Sequence, residues 1–352
     1  MTIFVTGGAG FIGSNFVLEW LNSNNEKIVN IDKLTYSGNL SNLESVAHNE
    51  NYIFERADIC DTVRIDELFE KYNPRAIIHF AAESHVDRSI LGPSDFINTN
   101  ILGTFNLLEI VRKIFISGMI NEDFRFIHIS TDEVYGSLNE NEPPFTENNQ
   151  YCPNSPYSAS KASSDHLARS YFETYRIPTI ITNCSNNYGP YQFPEKLIPL
   201  VINNALEGKA IPIYGDGKNI RDWLYVKDHC LAIMKVLELG NPGETYNIGG
   251  NNEIRNLELV EQICEELDVL SPPKNFAVTK YFDLVKFVPD RPGHDRRYAI
   301  DSSKIKKDLN WEPIETFKSG IKKTLKWYLN NLKWITDVKS GEYEKWIFNQ
   351  YK

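Results

Sequence analysis

The run Gly7-Gly8-Ala9-Gly10-Phe11-Ile12-Gly13 follows directly on the apolar segment Ile3–Thr6 and leads into a helical pattern over Ile12–Leu21. Glycines in this G-x-x-G-x-x-G spacing permit a tight strand-to-helix turn. They also let an anion approach the backbone and let the helix pack closely on its strand. The alternation then continues. Lys27–Ile31, Tyr52–Glu55, Ala76–Ala81, Phe124–Ile129 and Thr179–Thr182 read as strands, with helices over Val63–Tyr72, Thr99–Ile114 and Tyr157–Tyr175. Strands and helices in strict alternation predict a parallel sheet covered on both faces.

After Cys184 the rhythm weakens. Ser185–Phe193 is rich in Asn, Gly, Pro and Tyr and reads as a loop. A helix over Pro194–Glu207 follows, then strands near Ile211–Tyr214 and Trp223–Val226, a helix over His229–Leu239 and a returning strand at Thr245–Ile248. Beyond these lie a helix over Leu257–Leu267, a loop-rich stretch through Arg291–Asp295 and two late helices. The prediction is an α/β, Rossmann-type doubly wound parallel sheet with a smaller, interleaved carboxyl-terminal domain. Residues 1–183 and 225–250 form the dinucleotide-binding part, and 184–224 and 251–352 the substrate part. The closing Glu342–Lys352 is aromatic and charged and carries no readable role.

A chain of 352 residues, 41% hydrophobic and 24% charged, suits a globular protein of this size. Its net charge of −10 argues against nucleic-acid binding through a basic surface. The five cysteines show no C-x-x-C spacing, so buried free thiols are expected and no metal site. The start lacks a basic segment followed by an apolar one, and no apolar run approaches the roughly 20 residues of a membrane helix. A cytoplasmic protein without membrane contact is expected.

Asp32 closes the second strand 19 residues after Gly13. An acid there accepts hydrogen bonds from a ribose diol and repels a 2′-phosphate, so the cofactor expected is NAD, although the neighbouring Lys33 weakens that discrimination. Gly7, Gly10, Phe11, Ile12 and Gly13 would hold its pyrophosphate. Asp58 and Ile59 would border the adenine, and Phe80, Ala81 and Ala82 leave room for the cofactor to pass.

Chemistry concentrates in two runs, Ser130-Thr131-Asp132-Glu133-Val134-Tyr135-Gly136 and Tyr157-Ser158-Ala159-Ser160-Lys161. On a helix, Tyr157 and Lys161 share one face. An ammonium near a phenol favours the phenolate, which suits alcohol oxidation. A simple dehydrogenase has no use for two further carboxylates. They become useful when the same site must also remove a C–H proton and expel a hydroxyl. The set points to a dehydration that uses oxidation and reduction internally. Tyr135 and Gly136 read as turn and packing residues, and His79 and His128, inside strands, as structural.

These motifs, with Asn186-Asn187-Tyr188-Gly189-Pro190, His85-Val86-Asp87-Arg88-Ser89, Pro194–Pro199, Arg221-Asp222-Trp223 and Arg291-Pro292-Gly293-His294-Asp295, resemble the extended short-chain dehydrogenases/reductases, from Thr2 to about Pro313. Within that family the likeness is to the enzymes that dehydrate sugar nucleotides across C5 and C6. It implies that Tyr157, supported by Lys161, takes the C4 hydroxyl proton, that Glu133 removes the C5 proton, and that Asp132 protonates the departing C6 hydroxyl. Thr131 would hydrogen-bond the C4 oxygen and Ser130 would orient the nicotinamide. Lys33, Leu34, Thr35, Ser84, Thr99 and Asn187 fall to the cofactor by the same resemblance. Ser84, His85 and Asn186 fall to the sugar. Lys196, Leu197, Pro212, Ile213, Tyr214, Arg221, Asn256, Arg291, His294 and Asp295 fall to the nucleotide diphosphate, with Arg221 the foremost anion ligand. His85 fits a core role equally well.

The resemblance further implies dTDP-glucose as substrate, with UDP-glucose the alternative, since one methyl group separates the two bases. A 4-epimerase or decarboxylase of the same fold would share the glycine loop and the Tyr–Lys pair but has no need of Asp132 and Glu133. A GDP-mannose dehydratase carries one Glu and no preceding Asp there. A protein that only senses nucleotides has no use for the four together. The resemblance also implies a homodimer, its interface formed by the Thr99–Ile114 and Tyr157–Tyr175 helices, with Phe105, Leu108, Tyr171 and Phe172 as apolar material.

Overall fold

The computed structural model describes residues 1–120, 123–274 and 278–339. The strands are β1 (Thr2–Thr6), β2 (Lys27–Asp32), β3 (Tyr52–Arg56), β4 (Ala76–His79), β5 (Arg125–Thr131), β6 (Thr179–Cys184), β7 (Asn186–Tyr188), β8 (Ile211–Tyr214), β9 (Ile220–Tyr225), β10 (Thr245–Ile248), β11 (Glu253–Arg255) and β12 (Val285–Val288). The helices are α1 (Phe11–Ser23), α2 (Thr62–Tyr72), α3 (Val86–Leu91), α4 (Ser94–Phe96), α5 (Thr104–Ile116), α6 (Pro156–Tyr175), α7 (Leu197–Leu206), α8 (Val226–Leu239), α9 (Asn256–Leu270), α10 (Ser303–Leu309), α11 (Phe317–Asn330) and α12 (Leu332–Val338).

Seven strands form one parallel sheet in the order β3-β2-β1-β4-β5-β6-β10. Side chains alternate across it, so Ile3 and Val5 enter one core with Phe16, Val17 and Trp20 of α1 and Cys230, Ile233 and Val236 of α8. Phe4 points the other way, into a second core with Ile65 and Leu68 of α2 and Leu107, Leu108 and Val111 of α5. This is the Rossmann-type arrangement expected, with helices on both faces. Strand order reverses between β1 and β4, and the carboxyl ends of the strands diverge there to open a crevice.

The remaining strands make a three-stranded sheet, β11-β9-β7, and a parallel pair, β8 with β12. A third core joins them to α7, α9 and α11 through Tyr188, Val201, Trp223, Ile263, Leu325 and Tyr328. Ile305, Leu309 and Trp311, from the carboxyl-terminal third, pack instead beneath the large sheet.

Several elements differ from the sequence expectation. Asn186–Tyr188 is a strand and not part of a loop, because it pairs with Trp223–Tyr225 of β9, a partner no local pattern announces. Val226 opens α8 instead of ending the preceding strand. Pro194 and Glu195 precede α7, whose cap is Lys196. The helix expected over Thr99–Ile114 begins as a π-helical turn, Ile97–Gly103, and a Cβ on Gly103 would lie 2.5 Å from Ile59. β11 and β12 were not anticipated, and three late helices replace two. Leu108 and Tyr171 are buried in the sheet core, because their positions on α5 and α6 face inward, whereas Ile97, Leu102 and Phe105 are exposed. Cys184, Cys230 and Cys264 are buried as expected, but Cys60 is half-buried and Cys152, in the connection before α6, is exposed. Glu342–Lys352 lies outside the described residues.

Helix α6 starts at a reciprocal cap: Ser155 Oγ accepts from Ser158 N–H, Ser158 Oγ accepts from Ser155 N–H, both at 3.0 Å, and Pro156 occupies the first turn. Ser155→Ala removes one arm of that cap. Unfolding by denaturant should show a loss of about 1 kcal/mol, within the 0.5–2 kcal/mol range of cap substitutions.

Candidate active site

The crevice at the sheet reversal is lined by Gly7, Gly10, Phe11, Ile12, Gly13, Asp32, Lys33, Thr35, Asp58, Ile59, Phe80, Ala81, Ala82, Ser84 and Thr99. Ser130, Thr131, Glu133, Tyr157, Lys161, Asn186, Asn187 and Lys196 continue the wall. Leu34 is the exception among the expected cofactor residues: it adopts a left-handed φ of 59° and gives its N–H to Asp32 Oδ1 at 2.8 Å. It shapes the acid and does not line the crevice.

The residues fit a dinucleotide. Gly7 has φ +72°, and a Cβ there would lie 2.6 Å from Ala81 N; one on Gly13 would lie 2.3 Å from Gly7 O. At Gly10 such an atom would meet only Gly7 O, at 3.3 Å, so this position faces open space where a pyrophosphate can approach. Asp32 Oδ2 accepts from Ala9 N–H at 3.0 Å, which ties the acid to the glycine turn. Burial raises the Asp32 pKa, and these backbone donors oppose it. Lys33 Nζ lies 3.5 Å from Asp58 and 3.3 Å from Thr99 Oγ1, so the three close one end of the crevice.

At the other end, Thr131 terminates β5 and accepts at Oγ1 from Glu133 N–H, which turns Asp132 and Glu133 into a short helical turn beside α6. Asp132 is buried and its Oδ2 has no hydrogen-bond partner among the described residues. Its pKa is raised well above the ordinary value by burial, then by Glu133 and Asp222. Burial also raises Glu133, but Arg291, Arg221 and Lys196 pull it back toward the carboxylate. Two adjacent acids are thus placed in unequal fields. The Tyr157 phenol is raised by burial and by Glu133 and lowered by a hydrogen bond from Thr131. Lys161 donates to the Ile129 carbonyl at 2.8 Å, and burial lowers its pKa.

A group of cations faces the carboxylates. Arg221 is 5% exposed and gives its guanidinium to the main-chain carbonyls of Ile220 and Asp295, at 2.7 and 2.9 Å, with the Tyr298 ring 4.3 Å away. Among the described residues it forms no ion pair. Arg291 pairs with Asp87 at 2.8 Å, and Lys196 donates to the Ser84 carbonyl at 2.9 Å. Asp295 is engaged with Asn154 at 2.7 Å and with the Tyr298 hydroxyl. His294 bonds Asp290 at 2.6 Å and meets the Tyr214 ring. Buried polar atoms without a hydrogen-bond partner among the described residues include Asn186 Oδ1 and Asn256 Oδ1.

Other expected residues lie elsewhere. Ile213 is in the apolar core of the smaller lobe, while its strand neighbours Pro212 and Tyr214 are half-buried on the opposite face. Leu197 packs against that same core. His85 is buried 3.8 Å from Glu195, and burial lowers its pKa well below the ordinary value. His79 bonds Thr6 and Thr104, at 2.7 and 2.9 Å, inside the sheet, as a structural histidine would.

Tyr36, Glu83, Cys184, Gln192, Phe193 and Glu195 also line the crevice, and the sequence did not single them out. Arg88 stacks on the Tyr36 ring at 3.9 Å and pairs with Glu195 at 3.0 Å, so this side of the crevice is assembled from three distant segments. Glu195 sits inside the Pro194–Pro199 motif and Glu83 between Ala82 and Ser84, and that adjacency was the one available signal.

Fold and crevice together define an extended short-chain dehydrogenase/reductase. The family model described as GDP-mannose 4,6 dehydratase matches residues 4–324. The chain is 57% identical to dTDP-glucose 4,6-dehydratase of Salmonella typhimurium, over 100% of this chain and 99% of that one, and 56% identical to dTDP-glucose 4,6-dehydratase 1 of Escherichia coli with the same coverage. It belongs to the dTDP-glucose 4,6-dehydratase family. The enzyme of that name from Bacillus anthracis, solved in complex with NAD, superposes with a TM-score of 0.84 at 48% identity, covering 96% of this chain and 100% of that one. The Streptomyces venezuelae enzyme, with NAD and dTDP bound, gives 0.87 at 43% identity with the same coverage.

Proposed function

We propose that this chain converts dTDP-glucose to dTDP-4-keto-6-deoxyglucose and water, with NAD recycled within each turnover. The observation that carries the reading is the pair Asp132 and Glu133: half-buried Glu133 lines the dinucleotide crevice with Tyr157, and Asp132 lies buried just behind it. Residues 1–183 and 225–250 would hold the cofactor, and 184–224 and 251–352 the sugar nucleotide. NAD, when bound, supplies a hydride acceptor for C4 and a hydride donor for C6. Gly7, Gly10 and Gly13 would receive its pyrophosphate and Asp32 its ribose diol.

Tyr157 takes the C4 hydroxyl proton, with the Lys161 ammonium one helical turn away and Thr131 beside it in the crevice wall. Glu133 takes the C5 proton, made acidic by the carbonyl at C4; the cations around it keep its carboxylate available as a base. Asp132, whose pKa burial raises well above the ordinary value, gives its proton to the C6 hydroxyl, which leaves as water. Arg221 would receive the diphosphate, since its buried guanidinium, with no ion pair among the described residues, is suited to an anion. The substrate is a nucleotide-activated sugar, and we place the enzyme in the cytoplasm.

Side-by-side turnover with dTDP-, UDP-, GDP- and CDP-linked glucose tests this reading. The dTDP sugar should be consumed fastest, with no net absorbance gain at 340 nm. Accumulation of stoichiometric NADH would instead mark a net dehydrogenase.

The two acids should separate by isotope. Glu133→Gln should stop solvent deuterium from entering C5, whereas Asp132→Asn should permit slow C5 exchange while impairing loss of the C6 hydroxyl. Each should lower kcat by about 10²–10⁴-fold. Exchange at the normal rate in Glu133→Gln would reverse the two roles.

We also propose a homodimer across α5 and α6. Phe105 is 40% exposed there, with Ile97 and Leu102 exposed on the preceding π-helical turn. Sedimentation should give a dimer at micromolar concentration, and Phe105→Glu should shift it toward monomer.

A further inference from the structure

Lys161 is a buried ammonium whose one side-chain hydrogen bond among the described residues is to a neutral carbonyl, that of Ile129. A carbonyl solvates a cation but does not balance its charge, and an unbalanced buried charge tends to be lost. One helical turn along α6 stands Asp165, 1% exposed. Residues four apart on a helix lie on the order of 5–6 Å from each other at Cβ. The Asp165 carboxylate is held at Oδ2 by two hydrogen bonds, while its Oδ1 has no hydrogen-bond partner among the described residues. Ser130 Oγ, which lines the crevice, donates to Oδ2 at 2.8 Å; Asn183 Nδ2 reaches the same oxygen at 3.3 Å; His128 Nε2 lies 3.1 Å from Oδ1. No step of the proposed reaction uses it.

We propose that Asp165 is the positioning residue that keeps Lys161 charged, its counter-ion across one turn of α6, and that through Ser130 it also ties this charge pair to the crevice wall. The inference rests on the reading of Tyr157 and Lys161 as the redox pair. Asp132 and Glu133, in the turn after β5, act on Tyr157, and Asp165 is the carboxylate that acts on Lys161. Burial lowers the pKa of His79 on β4 and of His128 on β5, the Lys161 ammonium lowers both further, and Asp165 opposes this at His128. The Cys184 thiol on β6 is pushed up to about 12, and the Tyr135, Tyr151 and Tyr157 phenols are raised too, all chiefly by burial. Burial lowers the Lys161 pKa, and Asp165 is the leading group opposing that.

The pH profile of kcat/KM tests the proposal. Asp165→Asn keeps the shape and an acceptor for Ser130 but loses the charge. The alkaline limb, where Lys161 gives up its proton, should move to lower pH by about 1–3 units, the effect of one nearby opposite charge. Activity at the acid side of the optimum should be largely retained. A loss by the same factor at every pH would mean a structural role and overturn the inference. A wild-type enzyme without turnover would defeat the functional reading instead, and a folding cycle then decides the matter. Lys161→Met with Asp165→Asn should be less destabilised in denaturant than the two single losses summed. If Asp165→Asn alone fails to fold, adding Lys161→Met should restore folding. Strict additivity, or no restoration, overturns the counter-ion.

Discussion

Parallel pairing of β1 with β2 and β4 is the interaction on which the rest of the structure depends. It aligns the carboxyl ends of seven strands along one edge, and the reversal at β1 opens that edge into a crevice. The proposed cofactor-binding and acid–base groups are delivered there by strand ends and the segments after them. Gly7 follows β1, Asp32 closes β2, Thr131 closes β5, and Asn186 and Asn187 follow β6.

Burial then does the electrostatic sorting. Burial raises the Asp132 pKa well above its ordinary value, while three cations restrain the same tendency in Glu133. Two acids adjacent in sequence therefore become suited to opposite tasks without any difference in intrinsic chemistry. The cations come from the smaller lobe and its connections: Arg221 from β9, Arg291 from the stretch after β12, Lys196 from the cap of α7. The interleaving of the chain is what brings charge from one lobe onto carboxylates of the other.

The cofactor crevice was largely legible in the sequence because its residues are local: glycines in one turn, and one residue at each strand tip. Leu34 failed that reading because its left-handed backbone turns it away. The substrate side was less legible. Ile213 falls into the core because it alternates with Pro212 and Tyr214 along β8, and a motif match does not say which face of a strand is which. Tyr36, Arg88 and Glu195 meet across more than a hundred residues, and nothing in any one segment signals the other two.

By itself the sequence determined the alternation of strands and helices, the glycine turn, and the presence of Tyr157, Lys161, Asp132 and Glu133. Each follows from short-range periodicity, or from side-chain chemistry that does not depend on context. Only the tertiary structure decided which faces are buried, that Leu108 and Tyr171 turn inward while Phe105 stays exposed, and which acid sits nearer the cations. The physical reason is that burial and electrostatic fields are sums over neighbours distant in the chain. Those sums exist only after the sheet has closed and the smaller lobe has folded against it.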